Sequence, residues 1–158
     1  MFSGDELSYA LSFHQEKLKS FLDNGGNFLM HGYYLISQME DPIPPHMKDH
    51  ADFINSYLHV RYLNETNQVT GLKGQTGDVI TDGLNFDLKI EQDGYLPGVL
   101  EPIASAIPIL YYPDGQVAGV RIDGPNRKVI LAFYLNDIES VEVRKKLHHG
   151  ILVWFDKE

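Results

Sequence analysis

The chain of 158 residues contains no cysteine. That excludes disulfides, thiolate metal sites and a cysteine nucleophile together. It is also short of positive charge: 13 Lys and Arg stand against 22 Asp and Glu, a formal charge of −9. No excess of cations is available to displace counterions from phosphates, so no nucleic-acid partner is expected. No apolar run approaches the roughly 18 residues that span a bilayer, so no membrane partner is expected either. The start, Met1-Phe2-Ser3-Gly4-Asp5-Glu6, lacks the basic and apolar regions of a signal peptide and reads as a strand end followed by an acidic loop. Low-complexity segments, repeats and interdomain linkers are missing. With 43% hydrophobic and 22% charged residues, the length fits a single globular domain over 1–158.

What is present alternates between helical and extended spacing. Ser12 and Gln15 suit a capping box, Leu18, Phe21 and Leu22 share a helical face with Leu11, and Asn24-Gly25-Gly26 supplies a left-handed stop. Asn27 to Gly32 is a short apolar run read as a buried strand. Asp41 to Pro45 is a proline-blocked loop, His50 to Leu58 has helical spacing, and His59 to Leu63 is extended. Five glycines break the stretch from Gly71 to Gly94. Ile107–Tyr112 and Gln116–Ile122 flank Pro113-Asp114-Gly115 as a β-hairpin, and Lys128–Phe133 is a further strand. Val143, Leu147, Ile151 and Phe155 define a terminal amphipathic helix that Gly150 weakens by about 1 kcal/mol relative to Ala. This succession is an α/β pattern with a parallel or mixed sheet.

Several segments in order resemble one known family. They are Leu18 to Gly32 with its Leu22-Asp23-Asn24-Gly25-Gly26, then Asp52 to Val60, Val69 to Gly74, Thr81 to Leu88, Ala118 to Arg121, and Val129 to Tyr134. A helix carrying Arg144 and ending in Trp154-Phe155 follows. Together they resemble class I glutamine amidotransferase-like domains, in the variant found as an accessory domain of large secreted bacterial proteins. The resemblance implies a flavodoxin-like three-layer α/β sandwich with a mostly parallel sheet plus a β-hairpin. It also implies an N-terminal truncation, since Phe2 to Asp5 resembles the loop after the family's third strand. An open sheet edge would then invite a homo-oligomer or docking to other domains of a parent protein. An extracellular or periplasmic location is implied in the same way.

The family's chemistry needs a thiolate nucleophile, an imidazole base and an orienting carboxylate. The position of the nucleophile falls on Tyr33 or Tyr34, Tyr134 replaces the base, and Asn136 replaces the acid. Glutaminase chemistry is therefore excluded, no catalytic residue is assigned, and a non-catalytic accessory or interaction domain is expected. The same strand ends offer an alternative. Gly32, Tyr33, Tyr34, Tyr134 and Asn136, with Asp5, would line a cleft for a sugar or peptide, or the tyrosines would simply plug it.

Other motifs carry less. His46 and His50 have the spacing of a helical zinc pair, the basis for a metal-assisted hydrolase as a further alternative. Pro44-Pro45 places His46 at or before the helix start and no third ligand is evident, so neither metal nor cofactor is expected. Gly71 to Asp78 has the outline of a phosphate loop without its Gly-Lys-Ser/Thr ending and reads as turns. Asp78, Asp82, Asp87 and Asp93 do not match a calcium loop. His148-His149 reads as helix surface.

Overall fold

The structure is a computed structural model that describes residues 4–33, 53–90 and 95–157, with side chains of the first span from 14 onward. Helix α1, Gly4–Asp23, leads into strand β1, Phe28–His31. A five-residue π-helical turn, Ile54–Leu58, precedes β2, Val60–Glu65. Then follow β3 Leu72–Gly74, β4 Asn85–Phe86, β5 Gly98–Pro102, β6 Ala106–Tyr111, β7 Val117–Ile122 and β8 Lys128–Leu131. A 3-10 turn, Leu135–Asp137, leads to helix α2, Val141–Phe155.

The strands form one curled mixed sheet, a half-barrel, in the order β1-β8-β7-β6-β3-β4. Strand β7 holds β6 along one edge. Its other edge pairs with β8 through Gly119–Ile122 and with β5 at Val117, and β2 pairs with β5 beyond it. Among the described residues only β1 and β8 are parallel, with Phe28 opposite Lys128 and His31 opposite Leu131; the other pairings are antiparallel. This corrects the flavodoxin-like, mostly parallel, three-layer sandwich expected above. The physical reason lies in connection length. Parallel neighbours need a long crossover, whereas the turns from β6 to β7 and from β7 to β8 span only five residues each and reverse the chain. The N-terminus is corrected too: Gly4 and Asp5 belong to α1, not to a loop after a strand. Ser12 sits inside that helix, because propagating a helix already nucleated costs less than starting a new one at a cap.

Side-chain alternation assigns the faces. On β8 and its extension, Val129, Leu131 and Phe133 point into one core cluster while Ile130 and Ala132 point into the other. The first cluster receives Leu147, Ile151 and Trp154 of α2, and the second receives Leu22 of α1 with Phe53, Ile54 and Leu58. Each Leu or Ile so buried contributes roughly 1.5–3 kcal/mol.

The helix ends follow from their residues. Helix α1 stops at Gly25, at φ 83°, whose N–H donates to Leu22 O while that of Gly26 reaches Phe21 O, both at 2.9 Å. Ser140 caps α2 by accepting from Val143 N at 3.3 Å. At its other end Arg127 reaches the carbonyls of Trp154, Phe155 and Lys157, placing a cation where the helix dipole favours one. Asn27 joins this clamp, donating to Phe155 O at 3.0 Å and accepting from Arg127 N at 2.9 Å. Gly150, expected only to weaken α2, lets the helix lie against β-sheet loop backbone: a Cβ there would stand 3.0 Å from Ile80 O.

Candidate functional site

Strands β1 and β8 end side by side, and the segments beyond them carry most of the predicted site residues. Gly32 follows β1, buried, its N–H donating to Leu131 O at 3.3 Å. Tyr33 comes next and is 3% exposed. Beyond β8, Phe133 enters the core and Tyr134 is half-buried. The 3-10 turn that follows is held by backbone bonds from Lys89 N to Asp137 O at 2.7 Å and from Glu139 N to Asp87 O at 3.0 Å.

The structure brings Tyr33 and Tyr134 together, ring centroids 4.8 Å apart and nearly perpendicular at 83°. Edge-to-face packing of this kind is favourable beyond its buried area. Tyr95 leans on Tyr33 at 6.2 Å, and His31 meets Tyr134 edge-on at 6.0 Å. The Tyr33 hydroxyl donates to Asp137 Oδ2. Burial, then this carboxylate, pushes the Tyr33 phenol well above its ordinary range, so it remains a protonated donor. Burial, and then the nearby His148, lowers the affinity of His31 for a proton. Its buried Nδ1 has no hydrogen-bond partner among the described residues.

Asn136 is exposed and does not face the tyrosines as Asp137 does. Residues three apart eclipse one another in a 3-10 turn, so Tyr134 and Asp137 share a side and Asn136 is rotated outward. Sequence reasoning missed Asp137, Tyr95 and His31. Asp137 is turned inward by the 3-10 geometry, and the other two join through tertiary packing. Asp5 lies in the first turn of α1. Tyr34, His46, His50 and Asp93 lie outside the described residues.

The Gly71–Asp78 loop is an assembly of turns. Asp78 Oδ1 accepts from Ile80 N at 2.9 Å and Thr81 N at 3.1 Å, Asp82 Oδ1 from Gly77 N at 2.8 Å, and Asp87 Oδ1 from Gly71 N at 2.6 Å. These carboxylates fix backbone amides. Gly74 is obligatory here, since a Cβ would fall 1.7 Å from Thr81 O. Among the described residues no group of three or more His, Asp or Glu is placed to hold a metal ion.

No known family profile and no curated protein matches the sequence. Among solved structures, the chain is similar to an exo-beta-1,4-mannosidase, Op5Man5 from Opitutaceae bacterium strain TAV5, with 13% identity and a TM-score of 0.51. The match covers 89% of this chain and 22% of that one, so the chain spans about a fifth of its neighbour. At this identity the likeness is one of fold. It overturns the resemblance to class I glutamine amidotransferase-like domains: the described sheet has one parallel pair, and its structural likeness is to a glycoside-cleaving protein.

Proposed function

We propose that this chain is a carbohydrate-binding module that receives a saccharide at the tyrosine cluster beyond β1 and β8. The observation that carries this is the half-buried Tyr134 ring, fixed edge-on by both Tyr33 and His31. A ring held this way loses little freedom on binding, and its face suits the C–H face of a pyranose. The fold likeness to an exo-beta-1,4-mannosidase supports this reading as a matter of scaffold. The buried Tyr33 serves as the support for Tyr134, not as a contact surface.

Calorimetric titration with manno-oligosaccharides and a panel of other soluble glycans tests it. Binding is expected to weaken at least about tenfold in Tyr134→Ala, in keeping with about 1.4 kcal/mol of lost stacking. No binding across the panel, or unchanged binding by a folded Tyr134→Ala variant, would refute the proposal.

A further inference from the structure

A second constellation lies away from the tyrosines, where β2 begins and β5 ends. His59 directly precedes β2, and Ser105 occupies the turn between β5 and β6. Ser105 Oγ stands 2.8 Å from His59 Nδ1. On the other side of the ring, Nε2 is 3.1 Å from the carbonyl oxygen of Ser56. A carbonyl can only accept, so Nε2 carries the hydrogen. In the neutral imidazole Nδ1 is then a lone pair, and the Ser105 hydroxyl donates to it. The arrangement is a hydroxyl nucleophile, a base in hydrogen-bond contact and a third group that fixes the base's tautomer.

The backbone beneath this pair is distinctive. Among the described residues only two that are not glycine have positive φ: His59 at 54° and Ala104, next to Ser105, at 51°. His59 ends the π-helical turn where glycine is usual, its N–H donating to Ile54 O at 2.7 Å. Ala104 and Ser105 are the central residues of a turn closed by Ala106 N donating to Ile103 O at 3.0 Å. The turn is tied to His59 by Ile103 N, which donates to His59 O at 2.9 Å. Left-handed backbone at residues other than glycine persists only where the surroundings enforce it, and it gathers at functional sites. The amides of Ala104 and Ser105, in the same turn as the hydroxyl, have no hydrogen-bond partner among the described residues. Ala104 and Ser105 are exposed, so a substrate can reach the turn.

We propose that Ser105 and His59 form an acyl-transfer dyad acting on a carboxylic ester, with the Ala104 and Ser105 amides receiving the oxyanion. Ser105 Oγ attacks the ester carbon as its proton passes to His59 Nδ1, and the carbonyl electron pair moves onto oxygen. Collapse breaks the bond to the leaving alcohol, which takes the proton from Nδ1 and leaves acyl-Ser105. Water, deprotonated by the same Nδ1, then releases the carboxylic acid and restores the hydroxyl. The Ser56 carbonyl is a positioning group for the ring. This inference shares no residue with the saccharide site and does not rest on it.

The test treats the full chain with an alkyl fluorophosphonate and, separately, with p-nitrophenyl acetate. Mass spectrometry is expected to find one phosphonyl group, on Ser105, and the ester to be hydrolysed with an initial burst. Ser105→Ala should abolish both. His59→Gly preserves the left-handed backbone and should slow labelling at least about a hundredfold, with added imidazole restoring part of the rate. His59→Asn, which also tolerates that backbone, serves as the second variant should the first not fold. Ser105 left unlabelled, or labelled equally fast in a folded His59 variant, would overturn the proposal.

Discussion

Asp78 and Lys128 are both buried charged residues, 8% and 3% exposed, and the fold houses them in opposite ways. Asp78 is surrounded by donors. One carboxylate oxygen takes the Ile80 and Thr81 amides, and the other takes Arg121 Nε at 2.8 Å. Arg121 is itself shared with Asp123 and lies over the Trp154 ring, 5.6 Å from its centroid. Burial opposes the guanidinium charge, and the hydrogen bonds to Asp123 and Asp78 outweigh it, so Arg121 holds its proton more firmly than usual. This network ties the β3–β4 loop to β7 and to the ring of α2. Lys128 has only neutral company: its ammonium donates to Asn126 O at 3.2 Å and Asn126 Oδ1 at 3.0 Å. No ion pair joins it among the described residues, and burial alone pushes its proton affinity down. Burial of a charge is thus not one kind of event. Where donors and an opposite charge converge on a carboxylate, the charge organises a loop; where an ammonium meets only neutral acceptors, it is a cost carried by the core around it.

The contrast breaks most sharply at Asp78. Asp78→Ala removes the acceptor of two loop amides and one partner of a guanidinium whose side chain is only 15% exposed. We expect a loss of about 3 kcal/mol in urea unfolding. A loss below about 1 kcal/mol would mean that the carboxylate does not organise the loop.

Tyr33 sits between the two extremes, a buried neutral donor facing a carboxylate. Tyr33→Phe is expected to cost about 1 kcal/mol at neutral pH, read from the same unfolding curves. The phenol is more firmly protonated folded than unfolded, so its contribution is complete below pH 10, the unfolded value. In the native protein it falls away as pH rises above 10, a loss that Tyr33→Phe should not show.

Lys128→Met has the smallest expected effect, and its sign is reversed: neutral to about 1 kcal/mol stabilising at pH 7. The folded ammonium loses its proton more readily than the unfolded one at 10.5. Between those two values the unfolded state binds more protons, so native stability rises with pH there. The advantage of Lys128→Met should shrink over the same window. A variant clearly less stable than the native chain would show that Asn126 meets the ammonium's needs in full.

Some features of the fold are legible in the residues alone. The Pro113-Asp114-Gly115 turn, with Gly115 at φ 86° and Asp114 Oδ1 accepting from Gln116 N at 3.0 Å, announces its hairpin from residues in direct succession. The four-residue spacing of Val143, Leu147 and Ile151 announces α2 in the same way, and Gly25 announces the end of α1. The family resemblance misleads on the pairing of strands, because a short apolar run looks alike in a parallel and an antiparallel sheet. At the tyrosine site, Tyr33 and Tyr134 stand out by their place after two apolar runs. Asp137 does not, because the 3-10 geometry that turns it inward, and Asn136 outward, leaves little trace in residue types.

The amino-acid sequence by itself determined the turns, the helix stops and the alternation that gives β8 two core-facing sides, because each rests on residues within a few positions of one another. Tertiary structure alone decided that Tyr33 supports Tyr134, that Arg121 reaches Asp78, and that Ser105 meets His59 across 46 positions. Those contacts depend on how distant strands register in one curled sheet. That register is set by the packing of both faces at once, which no local stretch encodes.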